Sequence, residues 1–230
     1  MNINDYFDKI VCITLDERYD KEMEVKKRFD NLGIKVEWFR AVKYNFIPNI
    51  VKYLSKTQHS YFNEHQPYEI GAALSHYTVM KKALLEGHEK ILVFEDDVLF
   101  QKDFHSKFEK YMEKAPEDWD MLMFYSFMYE LLPENKKVSS RWIRSYKAWS
   151  LMSYAVTEHF MKEYIKRQDN FFTISDLVSY KMQEEGFKIY SAIPTLCIPN
   201  AESGSDIRKY VNYEKKPTVL NTGFSKDNFE

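Results

Sequence analysis

Residues 10–39 read strand, helix, strand, and that order leaves the chain few folds to choose from. The run IVCITL at 10–15 is short, rich in β-branched residues and mostly apolar, as a strand buried on both faces requires. DERYDKEMEVKKRFDNLG follows, with Met23, Phe29 and Leu32 roughly on one helical face and Gly33 placed as a C-cap. IKVEWF at 34–39 then alternates, which predicts a second strand. Strands joined through a helix pair in parallel by a right-handed crossover. The chain therefore opens as an α/β domain with a mostly parallel central sheet flanked by helices.

The remainder continues the pattern. Ile70, Leu74, Tyr77, Met80, Lys81 and Leu84 predict a helix over 69–86, closed by Gly87. A central strand over 90–94 follows directly. Phe104, Phe108, Tyr111 and Met112 form a helical stripe within 104–114, and DMLMF at 120–124 reads as a strand. AWSLMSYAV at 148–156 reads as another strand and 159–167 as a helix. The helix at 174–185 has Ser175 or Asp176 near its N-cap and Gly186 at its end, and KIYSA at 188–192 is a last strand. Residues 43–68 and 125–146 lose periodicity; loops of that length in a compact domain often line a site. There is no repeat and no Gly/Ser linker. One domain over residues 1–208, followed by a polar tail over 209–230, is the simplest organisation.

Charge and cysteine usage exclude several classes. Lys+Arg 33 against Asp+Glu 35 gives a formal net charge of -2, so no basic field points to nucleic acid or an anionic membrane. Cys12 and Cys197 each lie in an apolar run, where a buried thiol acts as a small hydrophobe, and two cysteines make neither a disulfide framework nor a zinc site. MNINDYFDK has no basic n-region or apolar h-region, and no apolar run reaches the roughly 18 residues that span a bilayer. The reading is a cytoplasmic protein, with peripheral membrane contact compatible with it.

The chemistry concentrates in ILVFEDDVLF at 91–100, where four apolar residues run into Glu95, Asp96 and Asp97. Adjacent carboxylates repel unless a cation or solvent offsets them, and hard oxygen ligands suit Mg²⁺ or Mn²⁺. On an extended segment Glu95 and Asp97 leave one side and Asp96 the other. A solvated strand end is the plain alternative. Ligands in open α/β sheets bind beyond the carboxyl ends of strands, where this cluster falls. Ser75 and His76, on the helix that feeds the strand, can approach Asp97; a packed histidine is the alternative. Asp16, Arg18 and Asp20 occupy the first βα turn, where Arg18 suits a phosphate or an ordinary surface ion pair. Asp176 is a candidate base or ligand contact, with helix capping as its alternative, while Asp118 and Asp120 precede their strand and so belong to the wrong end of the sheet. Tyr125, Phe127, Tyr129, Trp142, Tyr146 and Trp149 flank the second irregular stretch, for stacking on a ligand or for the core.

The ordered set ITLDERYDK, WFRAV, EIGAALSHYTVMKKAL, ILVFEDDVLF, DWDMLMF, AWSLMSYAV, ISDLVSYKM and SGSDI resembles glycosyltransferase family 25, the lipooligosaccharide and procollagen galactosyltransferase family, over about residues 9–208. The resemblance implies a single-domain GT-A type α/β fold and an inverting transfer, usually of galactose, from a UDP-sugar with Mn²⁺ or Mg²⁺. The acceptor would be a glycan, lipooligosaccharide or glycoprotein hydroxyl. Glu95, Asp96 and Asp97 map onto the family's metal-binding carboxylate motif, Asp97 as the direct ligand. Thr14, Leu15, Asp16 and Arg18 map onto the first nucleotide-side loop, Arg40, Ala41 and Val42 onto the loop after the second strand, and Gly71, Ser75 and His76 onto the G-x-x-L-S-H helix. The chain departs from the family at Thr14, where Asn is usual, at Glu17 and Lys21, where Arg is frequent, and after SGSDI, where no His follows and Asp206 or water would fill the place of an additional metal ligand.

Two readings from other classes stand beside the transferase. A non-catalytic relative would bind a nucleotide sugar or glycan without turnover. A metal-dependent phosphodiesterase would hydrolyse phosphoesters.

Overall fold

Alternating side chains in the strands at 9–14 and 90–95 bury both faces of the sheet, which sets the layering of the molecule. The computed structural model describes residues 2–43, 67–128, 131–170, 172–200 and 228–229. A short helix α1 (Ile3–Tyr6) leads into β1 (Lys9–Thr14), helix α2 (Tyr19–Asn31) and β2 (Glu37–Arg40). Ile10 and Cys12 join a core on one face with Phe29, while Val11 and Ile13 join a core on the other with Val79 and Met80. Helix α3 (Pro67–Leu85) feeds β3 (Lys90–Glu95), whose Leu92 and Phe94 again face the first core and Ile91 and Val93 the second. The chain goes on through β4 (Val98–Phe100), α4 (Phe104–Met112), β5 (Met121–Met123), β6 (Trp142–Arg144), β7 (Ser153–Thr157), α5 (Glu158–Asn170), α6 (Ser175–Glu184), β8 (Ile189–Ala192) and β9 (Cys197–Pro199).

The seven-stranded sheet has the order β2-β1-β3-β7-β5-β8-β6, and β4 and β9 form a separate antiparallel pair. β1 is parallel to β2 and β3, and β5 to β8, while β7 runs against β3 and β5, and β6 against β8. Five strands thus share one direction and β7 and β6 oppose them, giving the mostly parallel central sheet expected from sequence. Aromatics fill the first core: Phe29, Phe94, Phe100, Phe104, Phe108 and Trp142 are at most 1% exposed, and each fully buried side chain of this kind contributes roughly 1.5–3 kcal/mol.

Several boundaries differ from expectation for identifiable reasons. In α2 the buried side chains are Lys21, Val25 and Phe29, and Met23 is 39% exposed. Two residues are about 200° apart around a helix, so a face containing Val25 excludes Met23. β2 starts at Glu37 because residues 33–34 finish the helix: Gly33 has φ 58, its N–H donates to Asp30 O (3.0 Å), and Ile34 N–H donates to Phe29 O (2.9 Å). Of the strand expected over 148–156, only β7 forms a ladder, because Lys147 (φ 57) and Ser150 (φ 109) turn the backbone out of the extended region. The N-cap of α6 is Ile174, without a side-chain cap, which places Asp176 inside the first turn. Periodicity does not predict β4, β6 or β9; each is three residues long, too short for a period to register.

The irregular stretch at 43–68 lies outside the described residues apart from Lys43, Pro67 and Tyr68, as does most of the tail over 209–230. At its end, Lys102 N–H donates to Asn228 O (2.8 Å) and Phe229 is buried beside Gln101.

Candidate functional site

The carboxyl ends of β1, β2 and β3 lie side by side, with Thr14 opposite Arg40 and Ile13 opposite Glu95. Since α3 returns antiparallel to β3, its N-terminal half reaches the same edge. A cleft of about 240 Å³ opens there, lined by Thr14, Leu15, Ala41, Val42, Gly71, Ser75, His76, Glu95, Asp96 and Asp97, together with Glu17, Lys21, Lys43 and Tyr68.

Hydrogen bonds hold this rim together. Thr14, 1% exposed, donates from Oγ1 to Asp96 Oδ2 (2.8 Å), and its carbonyl accepts from Ala41 N–H (2.8 Å). Val42 N–H donates to Ser75 Oγ (2.8 Å), which donates to Gly71 O (2.7 Å). His76, 2% exposed, lies with Nε2 3.2 Å from Glu95 Oε1 and Nδ1 3.0 Å from the Tyr154 hydroxyl.

Asp97 is the unusual group. Its Oδ1 is buried with no hydrogen-bond partner among the described residues. Burial, then the charges of Glu95 and Asp96, push its carboxyl up to about 7, partly offset by Lys21. A buried carboxylate oxygen without a donor is costly on its own, and a hard cation would satisfy it. The residues present therefore fit a divalent ion held by Asp97 with help from Asp96. Among the described residues no group of three or more His, Cys, Asp or Glu side chains is placed to hold a metal ion, and Asp206 lies outside them.

Asp96 lines the cleft together with Glu95 and Asp97, where strand alternation alone would set it on the other side. Strand alternation ends at Glu95, and Asp96 and Asp97 occupy a turn before β4, so period two no longer governs them.

The other expected residues lie apart from the cleft lining. Arg18 pairs with Asp20 (3.1 Å), and Arg40 closes β2 and pairs with Glu22 (Nη2–Oε1 3.0 Å) and Asp16 (3.2 Å). Arg40 holds the Glu22 carboxyl below its ordinary value by a hydrogen bond. Asp176 lies near enough to Tyr154 and Tyr164 to help raise both hydroxyls, Tyr164 to about 12, though burial is the larger cause in each. Tyr154 in turn meets His76, which meets Glu95.

Asp120 is at the far end of the sheet, bound to His159 (2.8 Å) and Lys188 N–H (2.8 Å). Of the flanking aromatics, Trp142 is fully buried and Tyr125 8% exposed, both as core, while Trp149 packs on Tyr180 and Tyr129 lies outside the described residues. Tyr154 escaped sequence reasoning, and Lys21 entered it only as a departure from the family's Arg. Tyr154 looks like any core aromatic of an apolar strand, and Lys21 looks like the polar face of α2.

An α/β sheet that gathers a carboxylate cluster, two βα turns and a helix N-terminal half at its carboxyl edge has the layout of an enzyme that binds its ligand at that edge. The chain belongs to glycosyltransferase family 25: the family described as "Glycosyltransferase family 25 (LPS biosynthesis protein)" matches residues 7–193. It is 30% identical over 124 residues to a glycosyltransferase 25 family member of Aedes aegypti, and 29% identical over 140 residues to procollagen galactosyltransferase 2 of Homo sapiens. Each match covers 50% of this chain and 20% of the relative, so the chain spans about a fifth of their length. Inactive glycosyltransferase 25 family member 3 of Homo sapiens is 37% identical over 57 residues, 24% of this chain and 10% of that protein. Among solved structures, mannose-1-phosphate geranyltransferase from Thermus thermophilus aligns over 83% of this chain and 74% of its own, with TM-score 0.43 and 11% identity. No helix among the described residues is long and apolar enough to cross a membrane.

Proposed function

We propose that this protein transfers a sugar, galactose first among the candidates, from a UDP-sugar to a glycan or glycoconjugate hydroxyl, with inversion and with the help of Mn²⁺ or Mg²⁺. The observation that carries the reading is Asp97 Oδ1, buried and without a donor beside two further carboxylates in a cleft. A bound divalent ion would stabilise the departing diphosphate as a Lewis acid. Asp97 and Asp96 would hold it, with Thr14 fixing Asp96 and His76 fixing Glu95. The loops at Thr14–Leu15 and Ala41–Val42 would wall the nucleotide, with Asp16, Arg18 and Arg40 next to them along the chain. On the acceptor side, Asp176 takes the hydroxyl proton onto its carboxylate as general base.

The family description names LPS biosynthesis and a relative is named for procollagen, so lipooligosaccharide and glycoprotein acceptors are the first to test. A soluble cytoplasmic enzyme meeting its acceptor at a membrane face fits the first of these. The relative named inactive supports a second reading, binding without turnover.

The test is UDP release across a panel of UDP-sugars with Mn²⁺, thermal stability with each donor, and product linkage by NMR. Transfer from one donor with inverted anomeric configuration is expected. No release and no nucleotide-dependent stabilisation with any donor overturns the proposal, and binding without turnover across a broad acceptor panel establishes the second reading.

A further inference from the structure

Lys21 breaks two ordinary rules at once. It is 4% exposed, where lysine is seldom found, and it sits in the first turn of α2, where the helix dipole disfavours a cation. The neighbouring strand supplies the explanation: Lys21 lines the cleft that holds Glu95, Asp96 and Asp97, and it is a cation that offsets the repulsion at Asp97. The other cleft lysine, Lys43, pairs with Glu17. With the three carboxylates ionised, the buried ammonium leaves the cluster two charges negative, which one divalent ion offsets.

We propose that Lys21 is a built-in counter-ion that competes with the divalent cation for the carboxylate cluster and, once the cation is bound, serves the diphosphate of the nucleotide. This deepens the proposed function and rests on it for the nucleotide arm alone. An ammonium on a flexible stem can trade one anionic partner for another without moving the backbone, and phosphate is a natural ligand for such a point charge. The two roles have opposite signs. Removing the charge makes the cluster more negative and tightens binding of the cation alone. It also takes a positive group from the diphosphate and weakens binding of the nucleotide.

The experiment measures Mn²⁺ binding without nucleotide by electron paramagnetic resonance, and UDP binding at saturating Mn²⁺ by calorimetry, for wild type, Lys21→Met and Lys21→Arg. Lys21→Met keeps the length of the apolar stem and should bind Mn²⁺ about tenfold more tightly and UDP about tenfold more weakly, as loss of one nearby charge implies. Lys21→Arg should stay within about threefold of wild type in both, since the charge is retained. A merely structural lysine would weaken both ligands together or leave both unchanged, and either result overturns the inference. So does a wild type that binds no Mn²⁺. Should Lys21→Met fail to fold, Lys21→Gln makes the same neutral comparison. A wild type that binds Mn²⁺ but no UDP overturns the proposed function, while the Mn²⁺ arm still decides the competition with the cation.

Discussion

His76 Nε2 stands 3.2 Å from Glu95 Oε1, which ties the helix preceding the central strand to the last residue of that strand. The other ring nitrogen meets the Tyr154 hydroxyl at 3.0 Å, so both nitrogens of a nearly inaccessible imidazole are engaged. An imidazole fixed at both ends cannot rotate. It holds Glu95 at the cleft edge.

Tyr154→Phe removes one of those ends while preserving the ring. It leaves a buried nitrogen of His76 without its partner, which costs about 1–3 kcal/mol. Thermal unfolding should fall by roughly 2–4 °C per kcal/mol for a chain of this size. Donor KM should rise more than kcat falls, because the change loosens Glu95 without touching the acceptor; steady-state kinetics with the best donor checks this.

Asp97→Asn should separate stability from function. The neutral side chain relieves a buried charge facing Glu95 and Asp96, so at pH 8, without metal or nucleotide, the melting temperature should rise by about 2–5 °C. Wild type should gain about 2.7 kcal/mol when the donor with Mn²⁺ is at a hundred times its dissociation constant. The variant should show no such gain and no UDP release, as differential scanning fluorimetry and a UDP assay will read.

Thr14→Val and Thr14→Ser form a matched pair. Valine keeps the buried volume but loses the donor to Asp96, a hydrogen bond to a charged group worth about 1.5–3 kcal/mol. Serine keeps the hydroxyl. Donor KM should rise several-fold for Thr14→Val and stay near wild type for Thr14→Ser.

Acid should weaken one surface network. Lys82 and Lys9 hydrogen-bond Glu37 and hold its carboxyl below the ordinary value of 4.5. A lowered folded pKa gives stability that is present above the unfolded value and lost as pH falls through the folded one. Glu37 is 40% exposed, so solvent screening limits the effect to less than about 1 kcal/mol. The melting temperature of wild type should exceed that of Glu37→Gln at pH 7 and converge with it below Glu37's lowered folded pKa.

The cysteines should be silent. Burial pushes Cys197 up to about 12 and Cys12 well above its usual range, so neither forms thiolate at pH 8. A thiol reagent should titrate neither in the folded protein and both after unfolding in guanidinium.

Residues 10–13 and 91–94 read as doubly buried strands because an uninterrupted apolar run leaves no solvent face. Gly33, Gly87 and Gly186 marked helix ends because each takes a positive φ. The carboxylate cluster was legible from adjacency alone, since three consecutive acids need an explanation wherever they fall. Sequence therefore determined the α/β class, the main helices and the position of Glu95, Asp96 and Asp97 at a strand end. Only the tertiary structure decided that Asp96 turns into the cleft with its neighbours, that Lys21 is buried against them, and that Tyr154 locks His76. Those facts depend on which strands lie side by side and on how α2 and α3 are rotated about their axes. Periodicity fixes a helix's apolar face but not which polar residue at its margin meets a charge contributed from a distant part of the chain.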